Sequence, residues 1–196
     1  MPRGSPSRGR AWTAAAGTAV AAALWFAGGA DLVWRLVAGP PDLGAVAFET
    51  LVRRTTANDA LACPPGLCAA SSDFPPPRLA MPAAELRRAF AAAIAAEPRL
   101  ERVAADDAAL TDRWVQRTRL MRFPDTIVAR FVDLPDGRAT LALYSRSQLG
   151  RDDFGVNRDR IARWLGRLEE AVASRDRPAA GTRPSATPPA AATGSR

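Results

Sequence analysis

Residues 112–147 read DRWVQRTRLMRFPDTIVARFVDLPDGRATLALYSRS. The run is rich in β-branched and aromatic residues and is broken twice, at Pro124-Asp125 and at Pro135-Asp136-Gly137. After the first break, alternation sends Ile127, Ala129 and Phe131 to one face and Val128, Arg130 and Val132 to the other. Pro135-Asp136-Gly137 carries a hairpin turn signal. Beyond it Leu141 and Leu143 share a face opposite Thr140, Ala142 and Tyr144. Three antiparallel strands follow from this pattern, with a shorter one expected around Leu100–Val103.

Helical spacing brackets these strands. Upstream, residues 82–97 place Leu86, Phe90 and Ile94 four apart, with Pro82 suited to the first turn and Pro98 closing the run. Downstream, a helix from about Arg158 to Ser174 carries an apolar stripe of Ile161, Trp164, Leu165, Leu168 and Val172. The expected fold class is therefore α+β. It is a two-layer sandwich in which an antiparallel sheet of three to four strands packs two flanking helices on one face, plus an N-terminal apolar helix.

The remaining segments divide the chain. Residues 1–10 form a basic n-region, and residues 11–30 hold no charge and are half alanine. That stretch is long enough to cross a bilayer, and its basic flank would stay in the cytoplasm. The small residues of AGGAD (27–31) equally offer a site for signal cleavage. The expected location is a bacterial inner membrane, single-pass with the domain in the periplasm. The alternative is secretion to the periplasm after cleavage. Residues 31–176 would be the single domain, its first part a Pro- and Gly-rich wrap with a short helix or strand near Phe48–Arg53. Residues 177–196 have the composition of a disordered tail.

Charge excludes one class of partner. The chain has a net charge of +7, with 27 arginines, no lysine and 20 acids. Seven arginines and one acid lie outside residues 42–176, so the body itself is nearly neutral. A nucleic-acid binder should carry its basic stripe on the folded body, and no nucleic-acid partner is expected. The absence of histidine removes the commonest general base and metal ligand. Two cysteines alone make no zinc site. No catalytic residue, metal or cofactor is expected. In an exported chain, Cys63 and Cys68 across the Pro64-Pro65-Gly66 turn read as a structural disulfide rather than a redox pair.

One corner is chemically unusual. Between Ser145 and Arg160, four arginines and three aspartates crowd around Gly150 and Gly155 where the last helix should begin. Asn157 is placed as an N-cap, with Val156 and Ile161 at hydrophobic-staple spacing. Arg158 and Arg160 then fall in the first turn, where the helix dipole disfavours cations. Two readings compete. In one, Asp125, Asp152 and Asp153 neutralise the arginines internally. In the other, free N–H groups and guanidinium forks hold an external anion. The ligand-site reading nominates Arg117, Arg119, Arg122, Asp125, Arg146, Ser147, Arg151, Asp153, Asn157, Arg158 and Arg160. Arg117, Arg119 and Arg122, extended by Arg130 and Arg146, would also make an arginine-bearing outer sheet face.

The segments NDALACPPGLC (58–68), VQRTRLMRFPDTIVARF (115–131) and LALYSRSQLGRDDFGVNRDRIARWLGRL (141–168) together resemble the domain of unknown function 1499 family. The most distinctive run is Ser145, Arg146, Ser147, Gly150, Asp153, Gly155, Asn157, Arg158 and Arg160. Bacterial members of the family are often membrane-attached, which matches the N-terminus. The resemblance implies no reaction and no cofactor. The functional expectation is an exported, non-catalytic cell-envelope module that binds an anionic ligand or an envelope protein through the Arg-rich corner and meets the inner membrane through residues 11–30. The alternatives are a hydrolase-like enzyme using Asp/Arg chemistry and a purely structural or assembly protein.

Overall fold

The computed structural model describes residues 18–176. The basic n-region, residues 11–17 of the apolar segment and the proline-rich tail lie outside the described residues. A helix runs over Thr18–Ala38, long and apolar enough to cross a membrane, a test that a signal sequence also passes. It contains a π-helical stretch, Trp25–Gly29, in which Gly28 takes φ +121° and breaks the regular geometry. Such bulges are a recognised cause of helix kinks. The portion after the break is α1 (Ala30–Ala38).

The domain follows as β1 (Asp59–Ala62), α2 (Ala83–Ile94), β2 (Leu100–Asp106), β3 (Thr111–Arg117), β4 (Pro124–Asp133), β5 (Ala139–Ser147) and α3 (Val156–Asp176). The fold is α+β, as the alternation predicts, but the sheet has five strands in the order β1-β5-β4-β3-β2, all antiparallel. The additional strand is β1, whose four residues, DALA, sit in a segment read as wrapping loop. So short a strand has no alternation to detect. Its pairing with β5, Ala60 opposite Ser145, is a tertiary choice.

Both helices pack on one sheet face. Phe90 of α2 sits among Trp114, Phe131 and Trp164, with ring centroids 5.6 to 5.9 Å away. Ile127, Leu141, Leu143, Ile161 and Leu168 complete this core. Pro82 supplies no side-chain cap to α2; instead the Asp133 carboxylate accepts from the Ala83 N–H at 2.7 Å.

The second face carries a smaller apolar cluster, Leu61, Val128, Ala142 and Tyr144, covered by Phe48 and Leu51 and by the Cys63–Cys68 disulfide loop. Phe48 lies in a short 3-10 turn, Phe48–Thr50. This covering segment decides the fate of the arginines on that face. Arg117 donates to Asp31, Arg113 to Asp42 and Arg130 to Glu49, while Arg146 donates to the carbonyl of Leu43 at 2.9 Å. The chain between α1 and β1 is thus a strap laid across the sheet, its acids Asp42 and Glu49 meeting arginines beneath it while Asp31 reaches Arg117 from α1. That face is not the solvated arginine surface expected from the strands alone.

Candidate functional site

The corner where β5 leads into α3 is built around two side chains the helix start buries, Asn157 and Arg160. Arg160 donates from Nε to Gln116 Oε1 at 2.6 Å, from Nη1 to Ser145 Oγ and Asn157 Oδ1 at 2.7 and 2.6 Å, and from Nη2 to Asp125 Oδ2 at 2.6 Å. Four of the five guanidinium N–H groups are thereby engaged. Burying a guanidinium is tolerated only with such complete partnering. Asp125 lies on β4 rather than in a turn, opposite Ser147 and Gln116, which is how the sheet delivers it to the helix.

Asn157 does not cap the helix. It lies inside α3, and its amide nitrogen donates to Ser147 Oγ, to Asp153 and to the carbonyl of Asn58. The cap is Asp153, whose carboxylate accepts from the backbone N–H of Gly155 and of Asn157, both at 2.9 Å. Gly150 and Gly155 take φ +88° and +82°, the left-handed conformation that lets the loop turn twice within six residues. Asn58 closes the loop from the other side by donating to the Gly150 carbonyl at 2.8 Å.

The other nominated residues scatter. Arg117 and Arg122 both reach Asp31. Arg146 serves the strap, and burial holds its pKa below the ordinary arginine value. Arg158 is exposed, lies over the Phe74 ring and approaches Asp73 at 3.5 Å. Arg119 and Arg151 are exposed and have no ion pair among the described residues. The structure therefore brings together Asp125, Ser147, Asp153, Asn157 and Arg160, leaves Arg117 and Arg119 beside that network, and sends Arg122, Arg146, Arg151 and Arg158 elsewhere.

Beside the network lies an open cleft of about 320 Å³, between Glu97–Arg99, the end of β3 and the first turns of α3. Gln116 and Arg160 form its inner wall, and Arg99, Arg119 and Arg163 contribute to its rim. Gln116 links the cleft to the network, donating to Glu97 Oε2 at 2.9 Å while accepting from Arg160. Burial alone would raise the Glu97 pKa. Hydrogen bonds and charge from Arg163, with the Gln116 bond, outweigh it and hold the carboxyl at about 2. Arg99 donates only to a carbonyl, that of Arg117, and Arg119 has no ion pair, so two cations on the rim lack a carboxylate partner; Asp159 lines the same cleft. Glu97, Arg99, Gln116 and Arg163 were not nominated from the sequence. They lie on three separate elements with no shared motif, and the sole hint was an acid, Glu97, at the end of an apolar helix stripe.

The arrangement offers little for acid–base chemistry. The buried carboxylates Asp59, Glu97, Asp112 and Asp125 each have an arginine partner. Asp152 and Asp153 are occupied by backbone N–H groups of the turn. Among the described residues no group of three or more His, Cys, Asp or Glu could hold a metal ion.

Residues 52–168 match the family described as Protein of unknown function (DUF1499). The chain belongs to this family. The DUF1499 match takes in β1 through most of α3 and leaves out α1 and the first part of the strap. No curated protein and no solved structure matches the chain. In DUF1499 terms, the distinctive run from Ser145 to Arg160 is the segment whose polar side chains interlock: Ser145, Ser147, Asp153, Asn157 and Arg160 all bond to one another or through one intermediary.

Proposed function

We propose that this DUF1499 protein is a membrane-tethered, exported module of the cell envelope that binds an anionic group without chemically transforming it. The supporting observation is the cleft beside α3. Its inner wall is a buried, hydrogen-bonded network, and its rim carries Arg99 and Arg119 without carboxylate partners. A preorganised wall with unspent guanidinium donors suits phosphate or carboxylate recognition, in which each fork can offer two parallel N–H groups. On this reading binding falls on a neighbour of the motif rather than within it, since Arg160 is already engaged by its own chain.

The tether reading draws on the helix Thr18–Ala38 and on a disulfide that oxidising compartments preserve. The test is calorimetric titration of the detergent-solubilised full chain with inorganic phosphate and with citrate. The Arg99→Ala/Arg119→Ala variant should lose binding while keeping its melting temperature, because both side chains are exposed. Wild-type protein that takes up neither probe, or a double variant that binds as well as wild type, would remove the cleft from consideration.

A further inference from the structure

The loop between β3 and β4 ends in two exposed apolar residues, Leu120 and Met121, 68% and 47% exposed. Its backbone is fastened to the N-terminal helix from both sides of the Gly28 break. Trp25 Nε1 donates to the Leu120 carbonyl at 3.1 Å, and Trp34 Nε1 donates to the Met121 carbonyl at 2.6 Å. Trp34 also packs against Phe123, ring centroids 4.7 Å apart and the planes inclined by 57°. The loop tip therefore reaches past the kink, alongside the apolar portion of the helix.

Beyond the kink, α1 has two different sides. Ala30, Trp34 and Ala38 follow one another at four-residue spacing and turn toward the domain; Ala30 is fully buried, and the Ala38 carbonyl accepts from Gln148. The single acid in α1, Asp31, is neutralised by Arg117 and Arg122. The opposite side presents Leu32, Val33, Leu36 and Val37, all exposed, with Leu36 at 79%. Arg35 is exposed and has no ion pair among the described residues, as is Arg119 next to Leu120. An apolar helix face flanked by unpaired cations, forming the last nine residues of the Thr18–Ala38 helix, has the make-up of an interfacial segment.

We infer that the outer face of α1 and the tip of the β3–β4 loop form one bilayer-docking surface, which seats the domain on anionic phospholipid where the spanning helix leaves the membrane. Leu32, Leu36, Leu120 and Met121 enter the headgroup–acyl boundary. Arg35 and Arg119 extend their charges to the phosphates. Tryptophans 25 and 34 hold the position aromatic residues favour at that depth, their N–H groups satisfied by the loop. Asp31 can lie so close to lipid because its charge is cancelled from the domain side. The inference rests on the helix being kept as an anchor, and adds to it a fixed orientation of the domain.

The test uses the full chain in vesicles of phosphatidylethanolamine and phosphatidylglycerol. Leu36→Cys, Met121→Cys and Ala108→Cys variants each carry an environment-sensitive fluorophore; the two native cysteines are joined and do not compete. Ala108 lies in the β2–β3 turn, at the opposite end of β3 from the loop. Blue-shifted emission and quenching by spin-labelled lipid at positions 36 and 121, with neither at 108, is the expected result. A protein that resists alkaline extraction but leaves both probes in water overturns the docking surface alone. A protein released by alkali overturns the anchor reading and the docking with it. Shielding that persists in lipid-free detergent and disappears on dilution means a second copy covers this face, and also overturns the inference.

Discussion

Arg160, on the first turns of α3, and Asp125, on β4, meet at 2.6 Å with side chains only 4% and 2% exposed. Charges buried this completely are tolerated only as a pair, because either one alone would face the full desolvation penalty. Arg160→Met should therefore destabilise the domain by about 3–5 kcal/mol, leaving Asp125 without its counter-ion and removing donors from Gln116, Ser145 and Asn157. The double variant Arg160→Met/Asp125→Leu should recover a substantial part of that loss. Denaturant unfolding of the two variants measures it. A single variant as stable as wild type would mean that Asp125 finds another partner and that the network is dispensable to the fold.

Glu97 makes stability depend on pH in a defined direction. Its pKa in the folded chain, about 2, lies below its ordinary 4.5, despite burial, because Arg163 and Gln116 favour the carboxylate. A depressed acid contributes its full stabilisation above the unfolded value and loses it as pH falls through the folded one. The contribution is roughly 3 kcal/mol, present above about pH 5 and gone near pH 2. Glu97→Gln should be less stable than wild type at neutral pH, and the two unfolding curves should converge on acidification. Curves that stay parallel down to pH 2 would rule out this account of the carboxylate.

The disulfide closes a small loop, Cys63 to Cys68, with Cα atoms 6.3 Å apart. So short a closure constrains the unfolded chain modestly, by about 2 kcal/mol in the loop-entropy account. The same loop also covers Leu61 and Tyr144 on the second sheet face. Cys63→Ala/Cys68→Ala should thus cost about 2–3 kcal/mol, with the excess over loop closure coming from the loosened cover. Denaturant unfolding of the double variant gives the total. A loss below 1 kcal/mol would mean the cover holds without the covalent link.

What the sequence made legible follows from the range of each signal. Alternation in residues 126–147 and the stripes of Phe90 and Trp164 are local, repeated and strong, and they give the sheet, both helices and the face they share. β1 escaped because a strand of four residues, DALA, in a proline-rich region is too short to carry a period. The Asn157 cap was misassigned for a related reason. Asp153 and Asn157 are both good capping residues, and only the burial of Asn157 against Ser147 and Asn58 shows which one is free to cap. The arginines of β3, β4 and β5 were legible as a face. Their partners were not, since Asp31, Asp42 and Glu49 lie some 70 to 90 residues away, Asp31 in the N-terminal helix and the other two in a strap without pattern.

That distant pairing carries the last prediction. Arg113 and Asp42 meet at 2.8 Å, both largely buried, and their bond holds the start of the strap against β3. The Leu43 N–H adds a bond to Thr126 Oγ1 at 2.9 Å, and Arg146 grips the Leu43 carbonyl. A partly exposed pair contributes about 0.5–1 kcal/mol, so Asp42→Asn should lower global stability only slightly. Its effect should instead be local, because the strap is held by a few polar points spaced along an extended chain. Hydrogen exchange at residues 42–50 should quicken in Asp42→Asn while the β4 and β5 amides stay protected. Arg113→Met should reproduce the pattern, since it removes the same bond from the other side. Uniform acceleration through β4 and β5 would mean the strap is part of the core's cooperative unit, and exchange unchanged at Leu43 would mean that Thr126 and Arg146 suffice to hold it.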